Sequence, residues 1–254
     1  MTALITGASS GIGRDIARLL SKKGISLILV ARRKERLEEL KRELPVPVEV
    51  ISCDVSSAEN CRRLYEQVKG RQIDILINNA GFAVFGRFDQ TDLDQELSMI
   101  DTNIRAVHIL TKLFLRDFKK RDSGYILNVA SSAGYLPGPQ MATYYATKNY
   151  VLRLTQAIHE ELAHDHSGVG ITALCPGPVS TEFDAVANSS FNLPSLSSER
   201  VARAAVNAMF RKKTAVIPGG VMKTLRFFEH LVPDRLLMAA AYHMQKQGKP
   251  DGPQ

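Results

Sequence analysis

The stretch Thr6-Gly7-Ala8-Ser9-Ser10-Gly11-Ile12-Gly13 follows directly on the apolar run Thr2–Ile5 near the start of the chain. Gly7 suits a tight turn out of a strand, Gly11 lets a pyrophosphate approach the backbone, and Gly13 allows close packing of the following helix. Backbone N–H groups at the start of that helix would face the phosphates, where the helix dipole favours negative charge. The stretch therefore predicts a dinucleotide-binding strand, turn and helix rather than an ordinary glycine-rich turn.

Apolar runs alternate with helix-periodic segments along the rest of the chain. Leu37/Leu40 and Ala106/Ile109/Leu110/Leu113 have the spacing of amphipathic helices. Strands that are almost continuously apolar and separated by helices are typical of a parallel sheet covered on both faces. We therefore predict α/β architecture, with a single doubly wound Rossmann domain over residues 1–244 and a frayed tail at 245–254. The predicted strands are Thr2–Ile5, Ser26–Val30, Val46–Ser52, Ile73–Ile77, Gly124–Val129, Val169–Leu174 and Ala215–Ile217.

Composition argues against several kinds of protein. The 254 residues are 44% apolar, enough for a sizeable core, yet no run approaches the roughly 18 apolar residues of a membrane span. We expect a cytoplasmic protein with no cleaved leader, no disulfide and no metal site, because its three cysteines show no pairing or metal-ligand spacing. The formal charge is +7, but the basic residues are interleaved with acidic ones, so nucleic acid is not an expected partner.

The residues that follow the second predicted strand bear on cofactor choice. In NAD-preferring folds an acidic side chain about 20 residues past the glycines binds the ribose hydroxyls. Ala31 holds that place here, and Arg32 and Arg33 follow it. An arginine pairs bidentately with a 2′-phosphate, and the missing carboxylate removes a repulsive charge. Both features favour NADP(H), against the alternative that the two arginines merely begin a solvated helix.

Four polar residues have the spacing of a proton-transfer site. Tyr144 and Lys148 are one helical turn apart, Ser131 lies thirteen residues before Tyr144, and Asn103 lies a further twenty-eight before Ser131. A free tyrosine has a pKa of about 10, too high for ready proton exchange near neutrality. A lysine one turn away stabilises the phenolate and lowers that pKa. The four residues are therefore the candidate catalytic group.

The same tyrosine–lysine spacing occurs at Tyr65/Lys69 and Tyr242/Lys246. Tyr65 even has a serine, Ser52, thirteen residues before it. In a doubly wound sheet, however, the third strand and its helix lie at the sheet edge, away from the point where ligands bind. We therefore predict that Tyr65 and Tyr242 are surface residues and that Tyr144 is the catalytic tyrosine.

Taken in order, these motifs make the chain similar to the compact branch of the short-chain dehydrogenase/reductase family. The resemblance covers nearly the whole sequence and rests on Thr6–Gly13, Asp54-Val55, Asn78-Asn79-Ala80-Gly81, Asn103, Ser131, Tyr144, Lys148, and Pro176-Gly177 with Thr181. It implies that Tyr144 donates a proton to a carbonyl oxygen as hydride reaches the carbon. It also implies that Ser131 holds that oxygen and that Lys148 binds the nicotinamide ribose. Asn103 would hold a water that connects Lys148 to solvent.

The resemblance also implies a set of cofactor contacts. Family members that use NADP often carry a basic residue just before the second glycine, and Ser10 stands there in this chain. The preference for NADP(H) therefore rests on Arg32 and Arg33. The implied contacts are Gly7, Ser9, Ser10, Gly11, Ile12, Gly13, Arg32, Arg33, Asp54, Val55, Asn79, Ala80, Gly81, Tyr144, Lys148, Pro176, Gly177, Val179 and Thr181.

The segment Ser180–Glu199 lies where the family keeps a substrate lid. It has no lysine or arginine, so we expect a neutral or apolar small molecule rather than a small carboxylate or phosphate. The alternative is that some of its apolar residues are simply core. Those residues are Phe183, Val186, Phe191, Leu193 and Leu196, and Leu136, Pro137 and Met141 would add further apolar wall.

The segment Gly219–Met244 predicts two amphipathic helices divided by Pro233. Apolar residues at helical spacing stand beside Lys223, Arg226 and Arg235. Such a stripe packs on its own domain or lies on an anionic membrane surface, so peripheral membrane contact remains open.

The leading hypothesis is an NADPH-dependent reductase of a neutral or apolar ketone, or the reverse alcohol dehydrogenase. A variant of it acts on long-chain lipid or 3-oxoacyl substrates at a membrane surface. Two alternatives fit the sequence less well. A non-catalytic nucleotide sensor of the same fold typically loses the tyrosine or the lysine, and this chain keeps both. A sugar-nucleotide epimerase needs a different glycine spacing. The resemblance further implies a homodimer or homotetramer formed by helices around Ala106–Phe118 and Tyr150–Leu162, with Leu110, Leu113 and Phe114 gathered on one face.

Overall fold

The computed structural model describes residues 1–181, 189–191, 195–220, 222–224, 232, 235, 237–239, 242 and 245–247. Strands and helices alternate through the first two thirds of the chain. The elements are β1 (Thr2–Thr6), α1 (Gly11–Ser21), β2 (Ser26–Ala31), α2 (Lys34–Glu43), β3 (Val48–Ser52), α3 (Ala58–Val68), β4 (Ile75–Asn78), α4 (Leu93–Ile100), a π-helical turn (Asp101–Ala106), α5 (Val107–Arg121), β5 (Gly124–Val129), a 3₁₀ turn (Ser132–Tyr135), α6 (Ala142–His164), β6 (Val169–Leu174), β7 (Val179–Ser180), β8 (Ser189–Phe191), β9 (Leu196–Ser197), α7 (Ser198–Phe210), β10 (Ala215–Val216) and β11 (Gln245–Gln247).

The main sheet has seven parallel strands in the order β3-β2-β1-β4-β5-β6-β10. The order reverses direction between β1 and β4, which is the switch point of a doubly wound sheet. Loops that leave the carboxyl ends of neighbouring parallel strands meet at one edge of the sheet. The predicted Rossmann architecture is confirmed, and the switch point is where the candidate site lies.

Two apolar layers cover the two faces of the sheet. One packs the sheet against α1, α2 and α7, with Ile16 and Val201 fully buried. The other packs it against α3 and α5, with Leu64 and Phe118 at 1% exposure or less. Because both faces are covered, the central strands are apolar along almost their whole length, as the sequence predicted.

Two predicted strands begin later than expected. The third begins at Val48 rather than Val46, and Pro47, which has no N–H to donate, offers only its carbonyl to Leu27 N at 3.0 Å. The fourth begins at Ile75 rather than Ile73, because Ile73 N donates to Arg71 O in a tight turn at 3.0 Å.

The prediction of a frayed tail from Gln245 is wrong for its first three residues. β11 pairs antiparallel with β8, with Gln245 opposite Phe191 and Gln247 opposite Ser189. A second short pair, β7 with β9, aligns Val179 with Leu196. These short strands are held by backbone hydrogen bonds, which depend little on the side-chain pattern. The hydrophobic periodicity of the sequence therefore did not predict them.

The apolar face predicted for subunit contact on α5 points inward. Leu110 and Phe114 are 1% and 2% exposed and pack in the protomer's own core, and Leu113 is half-buried against it. The i, i+3, i+4 spacing therefore marks the face of α5 that packs against the core of the same protomer. A homodimer or homotetramer stays a prediction, without Leu110 and Phe114 in its contact surface.

Several predictions fall outside the described residues. In the proposed lid these are the side chains of Phe183, Val186, Phe191 and Leu193, whereas Leu196 is half-buried against the core beneath α1 and α7. The same holds for most of the C-terminal stripe, including Leu225, Arg226, Phe228, Leu231 and Pro233. Within the described ranges, no helix has the length and apolarity needed to cross a bilayer.

Candidate active site

The glycine turn after β1 is built for close approach. Gly7 has φ +65°, and a Cβ there would come within 2.7 Å of Asn79 Nδ2. A Cβ on Gly13 would come within 2.4 Å of the same nitrogen and 2.6 Å of Gly7 O. The Asn79 amide donates to Thr6 O and Gly7 O, both at 3.0 Å. Asn79, which directly follows the neighbouring strand β4, therefore stabilises the turn through these two hydrogen bonds.

The start of α1 fits a pyrophosphate. Among the described residues, the side chain of its N-cap Ser10 makes no capping hydrogen bond, and the first turn of the helix has no acidic side chain. The helices α3, α4 and α7 are instead capped by Ser57, Asp92 and Ser197. Uncapped N–H groups and the positive end of the helix dipole suit a phosphate group. The cofactor predicted from the sequence therefore fits this turn.

Arg33 lies over the same turn. Its Nη2 is 3.3 Å from both Ser9 Oγ and Ser10 Oγ, and its side chain is exposed. Arg32 is also exposed, and its carbonyl accepts from Ser52 Oγ at 3.2 Å. Of the two arginines predicted to select NADP(H), Arg33 is the one whose guanidinium lies against the glycine turn.

Asp54 and Val55, two of the cofactor contacts that the resemblance implies, follow β3. Val55 is 7% exposed and packs in the core, whereas Asp54 is exposed and accepts from Ser56 N at 3.0 Å. Ala80 N donates to Thr6 Oγ1 at 3.1 Å, which ties the β4 loop to β1. Ala80 therefore lies beside the glycine turn, and contact of Asp54 and Val55 with an adenosine stays a prediction.

The segment after β6 lies on the Ser131 side of the candidate site. Pro176 O accepts from Ser132 N at 2.8 Å and from Ser131 Oγ at 3.4 Å. Thr181 reaches back to the turn, since a Cβ on Gly11 would lie 3.2 Å from Thr181 Cγ2. The segment that the resemblance predicts to contact the cofactor therefore reaches Ser131 through Pro176 and the glycine turn through Thr181.

Ser131 follows β5 and is 9% exposed. Its Oγ accepts from Ala133 N at 3.1 Å, which caps the 3₁₀ turn. A hydroxyl held on this rigid turn at the sheet edge can donate to a carbonyl oxygen.

Tyr144 and Lys148 lie on the buried face of α6, at 8% and 5% exposure. Lys148 Nζ is 5.8 Å from the centroid of the Tyr144 ring and donates to Val129 O at 2.9 Å. Burial lowers the pKa of Lys148 to about 8, although Cys175 partly opposes the shift. The ammonium is thus held beside the phenol in a desolvated site.

Asn103 is fully buried in the π-helical turn between α4 and α5. Its Oδ1 accepts from Phe82 N at 3.1 Å, and its Nδ2 donates to Phe82 O at 2.9 Å and to Thr147 Oγ1 at 3.1 Å. Gly81 fits tightly here, because a Cβ would come 2.8 Å from Asn103 Oδ1 and 3.4 Å from Lys148 Nζ. The Asn103 side chain therefore joins the β4 loop to the catalytic helix. Its role toward a water stays a prediction.

The alternative tyrosines lie elsewhere, but one correction is needed. Tyr65 is not a surface residue: it is 7% exposed and donates to Asp117 Oδ2 at 2.7 Å. Burial, with a contribution from Asp117, raises the pKa of Tyr65 to about 12, which makes it a poor proton donor. Tyr242 is 47% exposed, as predicted.

Several residues of the site were not found from the sequence. The carbonyl of Val129 and the hydroxyl of Thr147 bind Lys148 and Asn103, and backbone groups and common threonines leave no signal in a sequence. The apolar run Phe82-Ala83-Val84-Phe85 is visible in the sequence, but only the structure shows that it is a loop beside Tyr144 and not a strand. In the part of the chain that is described, no three His, Cys, Asp or Glu side chains gather into a possible metal site.

Comparison with known proteins shows which proteins this chain resembles. An oxidoreductase of Staphylococcus epidermidis without an assigned substrate is 38% identical over 181 residues, covering 70% of this chain and 78% of the relative. A short-chain dehydrogenase from Sphingobium yanoikuyae, solved in complex with NADPH, is 32% identical with a TM-score of 0.81, and 94% of this chain matches 95% of that one.

A further solved structure is similar over nearly its whole length. The bulky-bulky ketone specific alcohol dehydrogenase from Comamonas testosteroni is 30% identical with a TM-score of 0.77, covering 94% of this chain and 93% of that one. The family model for short chain dehydrogenases matches residues 1–191. The chain therefore belongs to the short-chain dehydrogenase family of oxidoreductases.

Proposed function

We propose that this oxidoreductase is an NADP(H)-dependent carbonyl reductase, acting between a neutral or apolar ketone and the corresponding secondary alcohol. The observation that carries the proposal is the buried pair of Tyr144 and Lys148 on α6, at the sheet edge that also holds Ser131 and the glycine turn. A proton donor, a cation and a hydroxyl at one edge match the needs of carbonyl reduction.

Each side chain has a part in the reaction. NADPH, when bound, supplies the hydride that reduces the carbonyl carbon. Tyr144 gives its phenolic proton to the carbonyl oxygen, and Ser131 donates a hydrogen bond to that oxygen as negative charge develops. Lys148, held by Val129 O, favours the phenolate that remains. In the reverse direction the phenolate takes the alcohol proton.

The preference for NADP(H) rests on charge at the turn. Arg33 lies within 3.3 Å of both serine hydroxyls there, and Ala31 leaves no carboxylate to repel a phosphate. The similar structure from Sphingobium yanoikuyae binds NADPH, which supports the same preference here.

Arg33→Asp should reverse this preference. We expect kcat/KM for NADPH to fall about 100-fold, since a charge-assisted pair is replaced by a repulsive carboxylate. The value of kcat/KM for NADH should stay the same or rise. Arg32→Asp should act in the same direction but less strongly, because Arg32 does not contact the turn serines in the described hydrogen bonds.

Steady-state kinetics with both cofactors measures this shift. Lys41→Asp makes the same charge change at the far end of α2 and serves as the control. A wild-type enzyme that prefers NADH, or equal effects of Arg33→Asp and Lys41→Asp, would contradict the assignment of Arg33.

Ser131→Ala should lower kcat by about 10²- to 10³-fold, the usual effect of losing one donor to a developing oxyanion. Its neighbour provides a matched control. Ser132→Ala removes the same hydroxyl one residue away but keeps the backbone bond from Ser132 N to Pro176 O. Comparable kinetic losses in the two variants, both folded by circular dichroism, would show that Ser131 has no special role.

A further inference from the structure

The loop from Phe82 to Gly86, here called the arch, is anchored at both ends beside the candidate catalytic residues. At its start, the Asn103 side chain bonds both the N–H and the carbonyl of Phe82. At its end, Gly86 N donates to Gln140 O at 2.8 Å, just before α6 begins. The arch thus spans from the residue after Gly81, which lies against Lys148, to the N-terminus of the helix that carries Tyr144.

The arch lines the surroundings of Tyr144 with apolar and aromatic side chains. Tyr144 belongs to a small cluster with the buried residues Ala83, Met99, Ala133 and Met141. Four half-buried side chains pack against this cluster: Phe82, Val84, Phe85 and Tyr145. Because these four keep part of their surface exposed, apolar surface is available next to the proton donor.

The aromatic ring next to Tyr144 in sequence, that of Tyr145, is also held in place. The ring of Tyr145 lies against the backbone of Gly138, where a Cβ would come within 2.3 Å of the ring. The Tyr144 and Tyr145 rings meet edge to face, with centroids 6.1 Å apart. Met141 N donates to Gly138 O and Met141 O accepts from Tyr145 N. The aromatic wall is therefore rigid before a substrate arrives, which reduces the entropy lost on binding.

We propose that the arch is a specificity subsite for a flat, ring-bearing substituent of the ketone, with the rings of Phe82 and Phe85 as its determinants. Rings pack edge to face or offset on rings and gain more than the burial of their area alone. A charged substituent would lose its hydration against this surface. The inference rests on the proposed function and names its substrate class as aryl or polycyclic ketones. The bulky-ketone specificity of the similar Comamonas testosteroni enzyme is consistent with that class.

Two ketones of equal carbon count and with the same methyl group on the carbonyl provide the test: acetophenone and 2-octanone. The wild type should favour acetophenone in kcat/KM by about tenfold or more. Phe85→Leu keeps an apolar side chain but removes the ring, so it should lower this ratio about five- to tenfold. The change should fall on KM rather than kcat, because the contact lies away from the reacting carbon.

Phe88→Ala is the matched control, since Phe88 stands in the same connection but is 68% exposed. It should leave the ratio unchanged. Phe85→Ala is the larger truncation, and Phe85→Leu keeps the test valid if that variant does not fold. A wild-type preference for 2-octanone would overturn the inference. A ratio that Phe85→Leu and Phe82→Leu both leave unchanged would also overturn it.

A binding measurement separates this inference from the proposed function. Titration of the NADP⁺-loaded protein with 1-phenylethanol and with 2-octanol measures the affinity of the arch for each alcohol and does not depend on ketone reduction. If the wild type reduces neither ketone but binds 1-phenylethanol more tightly, and Phe85→Leu removes that difference, the subsite stands and the proposed reaction fails. If ketones are reduced but the two alcohols bind equally, the reaction stands and the subsite fails.

Discussion

Tyr144→Phe should fold, bind NADPH and lose about 10³-fold or more of its ketone reductase activity. The change removes only the phenolic proton donor, and proton transfer by a positioned side chain contributes about 10²- to 10⁴-fold. The ring remains, so its contacts with Met141, Ala133 and Tyr145 persist. The loss should therefore appear in kcat, with cofactor affinity and thermal midpoint close to those of the wild type.

The alternative tyrosines supply matched controls. Tyr242→Phe should be neutral, because Tyr242 is exposed. Tyr65→Phe removes the hydrogen bond to Asp117 and should lower stability by about 1 kcal/mol while sparing kcat. A Tyr144→Phe variant that keeps substantial activity, when Tyr65→Phe or Tyr242→Phe abolishes it, would overturn the assignment.

Lys148→Met should abolish turnover and at the same time stabilise the cofactor-free protein. Burial lowers the pKa of Lys148 from 10.5 to about 8, so below pH 8 folding must bury a cation at a net cost. Methionine removes this cost, and the free energy of unfolding near pH 7 should rise by up to about 3 kcal/mol. Activity should vanish because the phenolate loses its cation.

The pH dependence of stability follows from the sign of this shift. Between about pH 8 and 10.5 the unfolded chain holds the Lys148 proton and the folded chain does not, so the wild type gains stability as pH rises through that window. The stability difference between Lys148→Met and wild type should therefore be largest below pH 8 and disappear above 10.5. Denaturant unfolding across this range measures it, with the exposed Lys112→Met as control. A difference that does not change with pH would show that Lys148 is not buried as a cation.

The fold could be predicted because its signals are local and repeated. The glycine turn after an apolar strand and the alternation of strands with helices are written directly into the order of residues. The site could be predicted as far as side chains recur at fixed spacing, as Tyr144 and Lys148 do. The parallel sheet then brings residues from separate loops to one edge.

The predictions that proved wrong were those that depended on which residue a side chain contacts in the folded protein. The spacing of Leu110 and Phe114 revealed an apolar face, but not that this face packs on the protomer's own sheet. Tyr65 was predicted to lie at the surface, yet its ring is buried and its hydroxyl donates to the half-buried Asp117, fifty-two residues further along the chain. The arch was missed because its anchors are backbone groups and the Asn103 side chain, which no periodicity reveals.

Ketone reduction by this protein can be measured from the loss of NADPH absorbance with a series of ketones graded by size and charge. We expect oxidation of NADPH with neutral ring-bearing ketones, slower oxidation of NADH, and little turnover of ketones that carry a carboxylate. Folded wild-type protein that binds NADPH but oxidises neither cofactor with any ketone of the series would show that it is not a ketone reductase.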